Sequence, residues 1–142
     1  MKVVQTVVGI IHDGEYFLLL KKQATWVGWQ FVQGGQDKGE TKEGAVLREI
    51  KEEAGLNGIM EQRLRFKRDY WYWEKGPGKK KENVHKEQTF FLVKASKKDK
   101  IILCKEHNDY GWYTKDEALG LLRYNKDVFR EVLKRYFNEG LL

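Results

Sequence analysis

The sequence predicts an α/β domain built on one mixed β-sheet with helices over both faces. Two observations carry that expectation. Runs rich in β-branched and apolar residues alternate with stretches of helical periodicity. One helical stretch lies between strands, at residues 42–54, and two more close the chain. A length of 142 residues suits one domain, residues 1–142, large enough for a real core. Five Trp, seven Tyr and seven Phe supply apolar bulk for it.

Residues 3–11, VVQTVVGII, read as a largely buried strand. Asp13-Gly14 is a hairpin signal, with His12 as a turn residue beside it, and residues 16–22 form the return strand. Lys21 and Lys22 end that hairpin at a candidate substrate edge. A short strand over residues 26–31 leads into a Gly34-Gly35 loop. Two glycines there allow close backbone approach and positive φ, which suits a phosphate- or metal-binding turn. Thr41 caps a helix over residues 42–54, and Gly55 stops it.

Beyond the helix, residues 59–66 and 69–73 read as strand. Tyr70-Trp71-Tyr72-Trp73 then places aromatic rings on two faces, either both packed or one open for base stacking. Residues 74–86, EKGPGKKKENVHK, read as a loop: a solvated hairpin connection, or a mobile basic flap over a polyphosphate. Residues 88–95 form a strand, 97–100 a turn and 101–104 a short strand with Cys104 in the core. Thr114 caps a helix to about residue 123. Asn125 caps the last one, residues 126–138, with Val128, Phe129, Val132, Leu133, Tyr136 and Phe137 on its apolar side.

Charge and cysteine content narrow the function classes. The formal charge is +6 although residues 40–53 are acidic, so basic charge gathers elsewhere and suits an anionic substrate. Cys104 is the only cysteine, which rules out an intrachain disulfide and fits a reducing, cytoplasmic setting. No apolar run has the length of a membrane span, so no membrane partner is expected.

The chemistry concentrates between Gly34 and Leu56. At about 100° per residue, Glu49, Glu52 and Glu53 share one helical arc, about a third of a turn from the apolar arc of Val46, Leu47, Ile50 and Ala54. Three carboxylates on one face repel each other, and Arg48 beside them offsets part of that. Alone, this is the pattern of a solvated acidic face. Next to a Gly-rich turn it suits hard divalent cations, which take oxygen ligands and bridge phosphates.

Read from Gly34, the stretch runs G-x5-E-x7-R-E-I-x-E-E-x-G-L through Glu40, Arg48, Glu49, Glu52, Glu53 and Gly55. This resembles the Nudix box in full. The resemblance implies an α/β/α sandwich with a mixed sheet and a metal-dependent pyrophosphohydrolase. It implies Mg²⁺ or Mn²⁺ held by Glu49, Glu52, Glu53 and the Gly34 or Gly35 carbonyl. Arg48 would orient the box glutamates, and Glu40 would brace the loop or pair with Arg48.

Two flanking runs bear on substrate. Residues 29–35, WQFVQGG, are similar to the W-Q-[FM]-P-Q-G-G run of plant-type diadenosine tetraphosphate hydrolases and bacterial RNA 5′-pyrophosphohydrolases, with Val32 in place of proline. Residues 106–112, EHNDYGW, look like the E-H-x-x-Y-x-W run of animal-type diadenosine tetraphosphate hydrolases. RNA pyrophosphohydrolases also place a Glu at that distance before the tryptophan. The resemblance thus ranks dinucleoside polyphosphates first and triphosphorylated RNA 5′ ends second. A non-catalytic nucleotide sensor is a rival that the full carboxylate set disfavours. Glu106 would complete the metal site or serve as general base, with Glu87 as second choice. Lys22, Lys79, Lys80, Lys81 and Lys86 are candidates for shielding phosphates. Tyr70, Tyr72, Trp73 and Tyr110 are candidates for stacking on bases, and His107 for contacting phosphate.

Overall fold

The computed structural model describes residues 2–22, 28–75, 78 and 81–137. It contains seven strands, β1 (Lys2–His12), β2 (Phe17–Lys22), β3 (Trp29–Gln30), β4 (Val32–Gly35), β5 (Ile59–Lys75), β6 (Lys81–Lys94) and β7 (His107–Tyr113), and three helices, α1 (Lys42–Ala54), α2 (Lys115–Leu121) and α3 (Lys126–Tyr136). The main sheet runs β3-β2-β1-β6-β5, with β4 also on β1 and β7 also on β2. β1 and β6 run parallel at its centre, from Lys2↔Val84 to His12↔Lys94, while the other pairings are antiparallel. The sheet is therefore mixed, as the sequence predicts.

Side-chain alternation along the central strands sorts the core into two layers. Val8, Ile10, Phe90 and Leu92 face α2 and α3, where they meet Ala118, Leu122, Phe129, Val132 and Leu133. Val7, Ile11, Phe91 and Val93 face the other way and meet Val46, Ile50 and Ala54 of α1. Phe129 is fully buried, with ring contacts to Phe17 at 4.8 Å and Phe31 at 5.4 Å. Truncating such a side chain costs about 3–5 kcal/mol.

α1 has the predicted ends. Thr41 Oγ1 accepts from the Gly44 N–H, and Gly55 closes the helix at φ 73° with its N–H on the Lys51 carbonyl. Thr114 and Glu117 form a reciprocal capping box on α2. Asn125 departs from expectation. It sits left-handed at φ 65° ahead of α3 and makes no side-chain cap; its Oδ1 instead accepts from Arg68 at 3.2 Å.

Several predicted segments differ. Gly34 and Gly35 lie in strand β4, paired with Val7 and Thr6, and neither has positive φ. Residues 23–27, the start of the predicted strand at 26–31, lie outside the described residues, as does residue 138. β5 is one continuous strand through residues 67 and 68, with irregular register before Lys67. The predicted loop 74–86 is mostly strand: β5 runs to Lys75 and β6 begins at Lys81, in register through Trp73↔Asn83 and Tyr70↔Lys86. Pairing with β5, and with β1 from Val84 on, outweighs a polar, lysine-rich local composition. Residues 101–104 form no strand. Their backbone docks on the end of α1, where the Ile102 N–H donates to the Ala54 carbonyl at 2.8 Å and the Cys104 N–H to the Glu53 carbonyl at 3.3 Å. Cys104 is consequently partly exposed rather than in the core. His12 is buried at the end of β1, with Nδ1 accepting from the Gly14 N–H at 3.0 Å and Nε2 against Glu61.

Candidate active site

Arg48 is the hub of the box. Its Nε and one terminal nitrogen hold Glu40 bidentately, at 2.7 and 3.0 Å. The same nitrogen reaches the Gly35 carbonyl at 2.7 Å, and the other reaches Glu49 at 3.0 Å and Glu52 at 3.1 Å. One guanidinium thus ties the helix to the Gly-rich strand end, using the planar fork that lysine lacks. Its hydrogen bonds hold the Glu40 carboxyl down at about 2. Glu40 in turn accepts from the Asp37 N–H at 2.9 Å and so shapes the turn before the helix.

The three glutamates of one arc occupy different environments. Glu52 is the most exposed, with 58% of its side chain accessible; Glu49 retains 13%. Glu53 is 7% exposed, and its Oε2 has no hydrogen-bond partner among the described residues. Burial pushes the Glu53 carboxyl up to about 8, with Glu49 and Glu106 adding repulsion and the Gln33 N–H and Lys22 opposing. Burial also raises Glu49, against its hydrogen bond to Arg48. A Cβ at Gly34 would stand 2.1 Å from the Glu49 carboxyl carbon, so a side chain there would displace the Glu49 carboxylate.

Glu106 arrives from about 50 residues downstream because residues 101–104 dock on the α1 terminus, which places it just before β7. It lines a cleft of about 260 Å³ with Glu53, Gly34, Gly35, Lys22, Lys86 and Tyr72. A second cleft, of about 470 Å³, shares Lys22, Gln30, Gln33 and Lys86 with the first and adds Arg68, Tyr70, Gln88 and Tyr124. A wider cleft of about 660 Å³ around Asn57, Lys94 and Lys98 contains no box residue.

The structure thus brings together Glu53, Glu106, Gly34, Lys22, Lys86, Tyr70 and Tyr72. It keeps others apart. Trp73 is 67% exposed and Tyr110 42%, and neither lines either cleft. Lys81 lies at the outer end of β6, away from both clefts, and Lys79 and Lys80 lie outside the described residues. His107, the candidate for contacting phosphate, is buried at the start of β7. Its Nδ1 is 3.5 Å from Cys104 Sγ, and burial lowers its pKa, which disfavours a charged contact with phosphate. Glu87 accepts from Gln5 at 2.6 Å and lines neither cleft. Gln30, Gln33, Arg68 and Tyr124 escaped sequence reasoning. The glutamines stand in the WQFVQGG run and had a local signal; Arg68 and Tyr124 had none.

A divalent cation fits this donor set. A buried carboxylate oxygen lacks a partner, two more carboxylates crowd it, and the Gly34 and Gly35 backbone borders the same cleft. As they stand, no three carboxylate, imidazole or thiol groups among the described residues are close enough to hold an ion, because Arg48 draws Glu49 and Glu52 to itself.

The family model of the NUDIX domain matches residues 2–136. With this fold and this site, the protein falls in the class of hydrolases that cleave pyrophosphate bonds. The chain belongs to the Nudix family, whose members generally use divalent metal ions. It is similar to an RNA pyrophosphohydrolase of Blochmanniella pennsylvanica, at 31% identity over 91% of this chain and 90% of that protein. An RNA pyrophosphohydrolase of Nitratiruptor sp. is 36% identical over 79% and 76%. Among solved structures, a C. elegans Ap4A hydrolase has the same fold, with a TM-score of 0.72 at 23% identity over 95% of this chain and 98% of that one. No helix among the described residues is long and apolar enough to cross a membrane.

Proposed function

We propose that the protein removes pyrophosphate from the 5′ end of triphosphorylated RNA. The observation that carries this reading is the continuity of the two clefts. Glu53, Glu106 and Tyr72 line the first, Tyr70 and Tyr124 the second, and Lys22 and Lys86 border both. A polyphosphate in the first places its nucleoside in the second. Relatives at 31% and 36% identity named RNA pyrophosphohydrolase support ranking RNA above the dinucleoside polyphosphates that the sequence runs favoured.

In this reading Glu49, Glu52, Glu53 and the Gly34 carbonyl would hold Mg²⁺ or Mn²⁺, which would neutralise the carboxylates and supply Lewis-acid polarisation of a phosphate. Glu106 takes a proton from the attacking water as oxygen bonds to phosphorus and the anhydride bond breaks. Lys22 and Lys86 screen the phosphate oxygens, and Tyr70 and Tyr72 offer ring faces to bases. Arg48 acts through the glutamates it positions.

The second reading is asymmetric cleavage of diadenosine tetraphosphate to ATP and AMP. Tyr70, Tyr72 and Tyr124 around the joined clefts favour it, since they give stacking faces for more than one base. One product assay separates the two. Triphosphorylated RNA, diadenosine tetraphosphate and nucleoside triphosphates are each incubated with Mg²⁺ or with chelator. The RNA reading requires pyrophosphate release from RNA at the highest kcat/KM of the panel. A higher value on diadenosine tetraphosphate replaces it with the second reading.

A further inference from the structure

The outer end of the β5–β6 ribbon carries a feature the hydrolytic site does not use. Strand alternation puts Trp71 and Trp73 on the face opposite Tyr70 and Tyr72. Their rings are 53% and 67% exposed, unusual for tryptophan in a chain with a well-filled core. Their cross-strand partners are His85 and Asn83. The His85 ring stacks on Trp71 at 4.4 Å with planes 7° apart, steadied by Asp69 at 3.2 Å. Next along the same face come Lys75 and Lys81, paired with each other and both exposed. Two indoles two residues apart on one strand stand about 7 Å apart, with an imidazole behind one and two ammonium groups at the outer end.

We propose that this face binds single-stranded RNA downstream of the 5′ end. The inference rests on the RNA reading of the active site and extends it to the rest of the substrate. Flat aromatic faces stack on any base, and neighbouring cations track phosphates, which together make a sequence-tolerant single-strand platform. Charge decides the occupant: two lysines beside the indoles favour a polyanion over an apolar protein segment. Asp69 and Glu87 bound the platform toward the body of the sheet, so the nucleotide chain lies toward the ribbon tip.

Binding is tested apart from catalysis. The probe is a fluorescein-labelled single-stranded RNA of about ten nucleotides with a 5′ hydroxyl, titrated with the full chain in chelator and low salt. Trp71→Ala with Trp73→Ala should weaken binding by at least about tenfold, while Trp71→Phe with Trp73→Phe should keep most of it. Lys75→Ala with Lys81→Ala should make the salt dependence shallower. Equal binding by the Ala and Phe pairs, or no binding by the wild type, overturns the platform. A change in oligomeric state with RNA affinity intact overturns it in favour of a protein partner. Pyrophosphate release from triphosphorylated RNA by the wild type is measured in parallel: its absence refutes the catalytic reading, while a lost Trp dependence refutes only the platform.

Discussion

Helix α1 and the β5–β6 ribbon are both rich in charge and both border the clefts, but they are stabilised in opposite ways. α1 is organised by neighbours in sequence: Thr41 and Gly55 end it, and Arg48 gathers Glu40, Glu49 and Glu52 within a dozen residues of itself. The ribbon is organised at a distance. Lys81–Lys94 is strand because β5 and β1 flank it. Charge clustered on α1 holds one geometry, whereas aromatic and basic groups on the ribbon present surface. Chemistry should therefore be sensitive to single atoms on α1, and affinity should be graded along the ribbon.

The largest contrast expected is between Glu106 and Glu87. Glu106→Gln should lower kcat by roughly 10²–10⁴ with KM little changed, since the lost interaction belongs to the transition state. Recovery of the rate by excess Mg²⁺ or Mn²⁺ would make Glu106 a ligand rather than the base. Glu87→Gln should stay within a few-fold of wild type, because Glu87 is hydrogen-bonded to Gln5 and outside both clefts. Reversed magnitudes in steady-state kinetics would move the base onto the ribbon.

Glu53→Gln should come next, with activity down by about 10²–10³ and the fold intact. The variant keeps volume and removes a buried carboxylate that Glu49 and Glu106 repel, so chelated protein should melt no lower than wild type. Near-wild-type turnover would separate this helix from the chemistry.

The same carboxyl gives stability a pH dependence of definite sign. Folded Glu53 titrates at about 8, while the unfolded chain titrates near the ordinary value of about 4.3. Between those values the folded state holds a proton that the unfolded state has released. This group's contribution to stability therefore falls as pH rises from about 4 to about 8, and levels off beyond. Urea unfolding in chelator across that window should show the decline, and Glu53→Gln should flatten it. A wild-type slope that survives in Glu53→Gln would assign the titration to another group.

What the sequence revealed follows the same division. The box, the α1 caps and the two-sided cover of the sheet were legible because spacing, capping and periodicity are local properties. The closeness of Glu106 to Glu53 was expected only through family resemblance. Its physical cause, the bonds from Ile102 and Cys104 to the last carbonyls of α1, leaves no mark in local composition. Residues 74–86 misread for the converse reason: Gly, Pro and Lys signal a turn, but tertiary pairing carries β5 to Lys75 and begins β6 at Lys81. Arg68 and Tyr124 reach the second cleft from separate elements and share no motif.

The smallest effect sharpens the comparison along the ribbon itself. Lys86 borders both clefts, while Lys81, five residues earlier, lies toward the tip. With a short substrate such as diadenosine tetraphosphate, Lys86→Ala should raise KM several-fold and kcat should change less, since a flexible ammonium contributes mainly ground-state attraction. Lys81→Ala should leave KM for that substrate within about twofold at about 0.1 M ionic strength, because exposed charges beyond about 10 Å are then largely screened. Adding Lys79→Ala and Lys80→Ala tests the basic-flap reading of the whole run. A flap closing over the phosphates would make this triple variant raise KM as much as Lys86→Ala, with an effect that shrinks as salt increases. A KM for the short substrate that stays nearly indifferent to the triple change removes the flap reading.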